Sequence, residues 1–103
     1  MTHSFSSRVT AAPDVLSRPV GLETVLLNLN TETYLGLDAV GTRMWDVLVR
    51  APSIQAAHDA LVEEYEVEAA RLREDLEDFL NNLFALGLIE ALPEKDVASG
   101  EAR

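Results

Sequence analysis

Three observations predict an α+β fold in which an N-terminal three-stranded antiparallel sheet is followed by three helices. β-branched and leucine-rich runs crowd the first third of the chain and are separated by turn residues. After Asp38 the apolar residues recur three and four positions apart, the period of helices packed on one face. The two patterns occupy separate blocks and do not alternate, which is the α+β arrangement with no internal repeat.

The elements follow in order. Between Arg8 and Gly21 the apolar residues Val9, Val15, Leu16 and Val20 are interrupted by Pro13 and Pro19. Proline lacks the N–H that a central strand requires, so this stretch predicts one irregular edge strand. Glu23 to Leu29 is strand-like, Asn30-Thr31-Glu32-Thr33 supplies turn chemistry, and Tyr34 to Leu37 returns, a hairpin with a four-residue connection. Alternation puts Leu35 and Leu37 on one face and Tyr34 and Gly36 on the other. Asp38 stands where a carboxylate can accept the free N–H groups of a first helical turn. Val40, Met44, Val47 and Leu48 then mark a first helix, with Trp45 beside them as a core anchor. Pro52 and Ser53 restart the chain, and Ile54, Ala57, His58, Leu61, Val62 and Tyr65 share a face of the second helix. After a short break at Glu66-Val67 the third helix carries Ala69, Leu72, Leu76, Phe79, Leu80, Leu83 and Leu86. Gly87 ends it as a left-handed residue. Leu88-Ile89-Glu90 is a last turn or a very short strand.

At 103 residues the chain holds one core of modest size. No apolar run reaches the roughly eighteen residues of a membrane span, and Met1-Thr2-His3-Ser4-Phe5 lacks the basic and apolar regions of a signal peptide. The expectation is a soluble, cytoplasmic protein without membrane association. The absence of cysteine removes disulfides, thiolate metal sites and thiol nucleophiles. Eighteen acidic against eight basic residues give a formal charge of −10, which repels nucleic acid and favours a neutral or basic partner.

Chemistry-bearing motifs are scarce. His3 and His58 are far apart and at no metal-ligand spacing, and His58 sits on an apolar face, where a packed structural role is expected. No glycine-rich phosphate cradle occurs, so no cofactor, metal or catalytic set is expected. The carboxylates Glu63, Glu64, Glu66, Glu68, Glu74, Asp75, Glu77 and Asp78 lack a partner set to tune them and form a solvated face. Three helices after a hairpin make the pattern winged-helix-like, yet the third helix carries five acids against Arg71 and Arg73, the reverse of what a DNA-reading helix needs.

The succession "VLLNLNTETYLGLDAVGTRMWDVL", "SIQAAHDALVEEYEV" and "DLEDFLNNLFALGLI" resembles the PqqD-like family, the precursor-peptide recognition elements of ribosomally made, modified peptides. The likeness covers about Val15 to Ile89 and is greatest to the discrete leader-binding proteins of lasso-peptide pathways. It implies a non-catalytic adaptor. Its partners would be a precursor leader peptide and a leader peptidase or other peptide-modifying enzyme, and the leaders often carry an aromatic residue and a proline. The alternatives are a PqqD-type chaperone feeding a radical SAM enzyme and, in a different class, a winged-helix transcription regulator. The resemblance also implies that the leader adds as a strand beside Tyr34, Leu35, Gly36 and Leu37, facing Leu72, Asp75, Leu76, Asp78, Phe79 and Asn82 of the third helix. The residues support the physical side independently, because Tyr34 to Leu37 carries no charge, proline or bulge to guard its edge. The competing expectation is that Arg8 to Val20 or the C-terminal tail folds over that edge. Residues 1–7 and 93–103 are expected to be mobile ends around a recognition domain of residues 8–92.

Overall fold

Residues 5–93 are described by a computed structural model in which two small antiparallel sheets flank three helices. The stretch read from the sequence as one irregular strand is two. Arg8–Ala11 forms β1, and after a turn through Pro13-Asp14 the segment Val15–Val20 forms β2. β3 (Glu23–Asn28) and β4 (Thr33–Leu37) complete a sheet of order β2-β3-β4, the three-stranded sheet expected from the sequence. The helices α1 (Ala39–Arg50), α2 (Ile54–Tyr65) and α3 (Ala69–Ala85) follow. Ile89–Leu92 is a strand, β5, which pairs with β1 in the register Arg8↔Leu92 to Ala11↔Ile89.

Local chemistry sets the helix ends. The Asp38 carboxylate accepts from the Gly41 amide at 2.7 Å, and the Ser53 hydroxyl accepts from Ala56 at 3.0 Å, each satisfying a donor that the first turn leaves free. Glu66 closes α2 in the left-handed region with φ 53, and Gly87 follows α3 at φ 69. A Cβ at residue 87 would also stand 3.1 Å from the Asn28 side chain, so space and conformation both favour glycine.

The core lies between the inner face of β2-β3-β4 and the helices. Leu26 and Leu37 from the sheet meet Met44, Trp45 and Leu48 of α1, Ile54, Ala57 and Leu61 of α2, and Leu72, Leu76, Leu80 and Leu83 of α3. Trp45 is the core anchor its position suggested. Val9, Leu88 and Ile89 seal the end at which β1 pairs with β5.

The described fold begins before the expected boundary at Arg8. Phe5 is buried, its ring stands edge-on to His58 at 6.1 Å between centroids, and the Arg73 guanidinium lies 3.9 Å over it. The Gln55 and Ile54 amides donate to the carbonyls of Phe5 and Ser7, so the first turn of α2 holds this segment. The remainder of the expected mobile ends, residues 1–4 and 94–103, lies outside the described residues.

Candidate functional site

The backbone of β4 decides what its outer edge can do. The Leu29 amide donates to the Asp14 carbonyl at 2.9 Å, and these two residues face each other one step beyond Val15↔Asn28. In an antiparallel ladder, directly opposed residues alternate between pairs that exchange hydrogen bonds and pairs that do not. Leu16/Leu27, Arg18/Val25 and Val20/Glu23 are therefore the bonded pairs of β2 and β3. The groups of Thr24, Leu26 and Asn28 turn the other way, toward Leu37, Leu35 and Thr33 of β4. Tyr34 and Gly36 consequently aim their N–H and C=O groups away from the sheet.

No described strand pairs with that edge, since β1 joins β5 and β2 lies on the opposite side of β3. The covering by Arg8 to Val20 that the sequence left open does not occur, and the tail from Glu94 is outside the described residues. The other free edge, β2, is guarded: by the same alternation Pro19 occupies an outward position and has no N–H to offer. Of the two edges of this sheet, β4 is the one open to a further strand.

Beside this edge a groove of about 340 Å³ is lined by Leu35, Gly36, Leu37, Asp38, Gly41, Phe79 and Asn82. Its walls are β4 and α3, and they are tied at one end. Asn28 Nδ2 donates to the Gly87 carbonyl at 2.8 Å and Thr33 Oγ1 to that of Leu86 at 3.3 Å, while Asn28 Oδ1 accepts from the amides of Asn30 and Thr31 in the hairpin turn. At the other end a larger cavity of about 510 Å³ is framed by α1, α2 and α3 through Val40, Met44, Tyr65, Val67, Glu68, Arg71, Leu72 and Asp75. Val40 adjoins Gly41, and Asp75 lies one helical turn before Phe79, so cavity and groove are neighbours along α3.

The residues expected at the site divide by position. Leu35, Gly36, Leu37, Phe79 and Asn82 come together in the groove, and Leu72 and Asp75 in the cavity. Leu76 is fully buried in the core and lines neither. Asp78 is exposed and lines neither. Tyr34 belongs to the edge through its backbone, but its side chain stands 69 % exposed on the far face of the sheet. Sequence reasoning did not find the cavity: Val40, assigned to the buried face of α1 by periodicity, is 51 % exposed at its rim, and Tyr65 and Val67 join it there. A signal was available, because Val67 is a large apolar residue in the α2–α3 break with no helical face to occupy.

Among the described residues, the polar groups around the groove and cavity form no reaction set. Arg71 approaches Asp75 at 3.9 Å, and both are exposed. His58 is buried with Nε2 2.8 Å from the Ala69 carbonyl, a link between α2 and the start of α3 that matches its expected structural role. Among the described residues no cluster of three histidines or carboxylates could hold a metal ion, and no helix is long and apolar enough to cross a membrane.

The profile described as "Coenzyme PQQ synthesis protein D (PqqD)" matches residues 23–89, from the first residue of β3 to the first of β5. The chain belongs to the PqqD family. The solved structure "TbiB1 in Complex with the TbiA(beta) Leader Peptide" resembles this PqqD-family chain with a TM-score of 0.71 and 40 % sequence identity, over 79 % of this chain and 94 % of that one. A comparison with curated proteins gave no match. The profile match spans both walls of the groove, β4 and α3, so the family relationship extends over the candidate site.

Proposed function

We propose that this chain is a non-catalytic adaptor that binds the leader segment of a ribosomally made precursor peptide and holds it for processing. The leader pairs as an added strand with the outward amide and carbonyl groups of Tyr34 and Gly36, while its side chains enter the groove against Phe79 and Asn82. An aromatic or proline side chain further along the leader suits the cavity between Val40, Met44, Tyr65 and Leu72, which is apolar with charges only at its rim. Asp75, with Asp78 outside the cavity, favours basic or hydroxylic leader residues nearby. The observation that carries the reading is the unguarded β4 edge opening directly on a groove, in a chain 40 % identical to a protein solved with a leader peptide.

Holding the leader makes the encounter of the core peptide with its enzymes effectively intramolecular. The setting is cytoplasmic, where the precursor is translated, and the enzymes are a lasso-type leader peptidase and a cyclase. The leader complex of the structural neighbour favours this over a PqqD-type chaperone feeding a radical SAM enzyme.

Titration of a fluorescently labelled cognate leader into the purified protein should show saturable binding. Incubation with the full precursor, followed by mass spectrometry, should return the precursor intact. Turnover by the protein alone would overturn the adaptor assignment, and absence of leader binding would overturn the site.

A further inference from the structure

Among the described residues eight large apolar side chains are exposed, and they are not scattered. Val40, Tyr65 and Val67 rim the cavity already described. The other five, Leu16, Val20, Leu22, Leu29 and Tyr34, all lie on the β2-β3-β4 sheet or its turns. Register explains the grouping. Thr24, Leu26, Asn28 and Leu37 are buried on the inner face, so their alternates Leu16, Arg18, Val20, Val25, Leu27 and Tyr34 share the outer one. Leu16, Leu27 and Tyr34 form one continuous row across the three strands. Leu16 is 49 % and Val20 57 % exposed. A three-stranded sheet with both faces apolar is not what a solvated wing requires, and no described element packs on the outer one.

We infer that this outer face is the docking surface for the leader peptidase that acts on the bound precursor, an inference that rests on the leader-binding reading above. Three features select that occupant. The face is continuous with the leader edge: Tyr34 gives its backbone to the edge and its side chain to the face, so an added leader strand widens the same sheet by one strand. Whatever packs on the face then borders the leader directly. The strand residues of the face balance one positive charge, Arg18, against one negative, Glu23, with Asp14 opposite Leu29 at its border, so the face is far less acidic than a chain of formal charge −10 would suggest. Two copies would each carry a formal charge of −10 and repel one another at long range, whereas a neutral or basic enzyme would not be repelled. Finally, tethering through the leader lasts only until the leader is cut. The enzyme that cuts is the one that must meet the adaptor while the tether is intact.

The test uses the full chain, its cognate precursor and the cognate leader peptidase. Leu16→Lys combined with Val20→Lys places two charges on the face, away from both the β4 edge and the groove. Leader affinity should stay within about twofold of wild type, which also verifies folding, while cleavage at limiting adaptor should slow by at least about tenfold. Amide exchange of the wild-type leader complex should slow in β2 and β3 when the peptidase is added. Normal leader binding with undiminished cleavage in the double variant overturns the inference while leaving leader binding intact. Loss of leader binding in the wild type would overturn the parent reading instead. A wild-type dimer in sedimentation that the lysines dissolve would assign the face to a second copy, again overturning the inference. If the double variant fails to fold, unchanged exchange in β2 and β3 of the wild type has the same force.

Discussion

Proline at residue 36 separates strand addition from every other way a peptide could sit in the groove. In the free protein Gly36 points its N–H out of the sheet, is exposed, and has nothing within 4 Å of where a Cβ would stand. Proline with its missing N–H on the open side of an edge strand is tolerated, so the fold should survive Gly36→Pro. The complex should not. One hydrogen bond to the leader disappears, and the leader carbonyl that accepted it is left desolvated beside the ring, at a cost of about 1–3 kcal/mol. At 1.4 kcal/mol per factor of ten, the leader Kd should rise roughly 5- to 140-fold. Leu35→Pro supplies the contrast. Its N–H faces Leu26, a fully buried residue at the centre of the sheet, so this variant should lose the cooperative thermal transition. Gly36→Ala, which keeps the N–H, should bind within about twofold of wild type. The assay is fluorescence titration with labelled leader, with circular dichroism as the folding check. A folded Gly36→Pro protein with wild-type affinity would refute edge pairing.

Phe79→Ala should weaken leader binding more than charge reversal at Asp75 and Asp78 together. An apolar anchor contributes about 1.5–3 kcal/mol, whereas exposed charge pairs give roughly 0.2–1 kcal/mol each and are screened within about 10 Å at 0.1 M salt. The ranking, and a shallow salt dependence, can be read in the same titration. Asn28→Ala should destabilise the domain by about 2–3 kcal/mol, because its side chain bonds two turn amides and the Gly87 carbonyl, and thermal melting reports the loss. Asp59 is held below the usual carboxylate range first by its hydrogen bond from Gln55 and then by His58. Its contribution to stability is therefore present above about pH 4 and lost as pH falls through the lower folded-state value. Asp59→Asn should flatten the acid limb of a Tm-versus-pH curve by lowering Tm slightly at neutral pH, with no change below the folded-state value.

Features written in neighbouring residues were legible in the sequence. Asp38 and Ser53 as caps, Gly87 as a helix stop and the hairpin around Asn30-Thr31-Glu32 all depend on chemistry within four or five positions. The helix faces were legible because Leu72, Leu76, Leu80 and Leu83 keep one period throughout. The pairing of Arg8–Ala11 with Ile89–Leu92 was not, since both segments are short and their register is fixed by contacts that span the whole chain. Phe5 likewise looks like part of a polar terminus until α2 brings His58 beneath it. Within the site, the edge strand was identifiable from what it lacks, but the direction of each amide was not. That direction depends on how Asp14 meets Leu29 across the neighbouring hairpin, and no property of Tyr34 to Leu37 encodes it. Val40 shows the converse limit: periodicity places a residue on a face, and only packing shows whether the face is closed there.

The Asn28–Gly87 and Thr33–Leu86 bonds fasten the two jaws of the groove at one end. A clamp hinged in this way has a gape that widens with distance from the pin. A bound chain would meet its narrowest passage beside Thr33 and its roomiest beside Val40 and Leu72. Sequence tolerance should grade along the ligand accordingly, strict in bulk near the pinned end and permissive toward the free one. The same pin makes the gape adjustable from far away, because any change that shifts the end of α3 at Gly87 acts on the jaws as a lever.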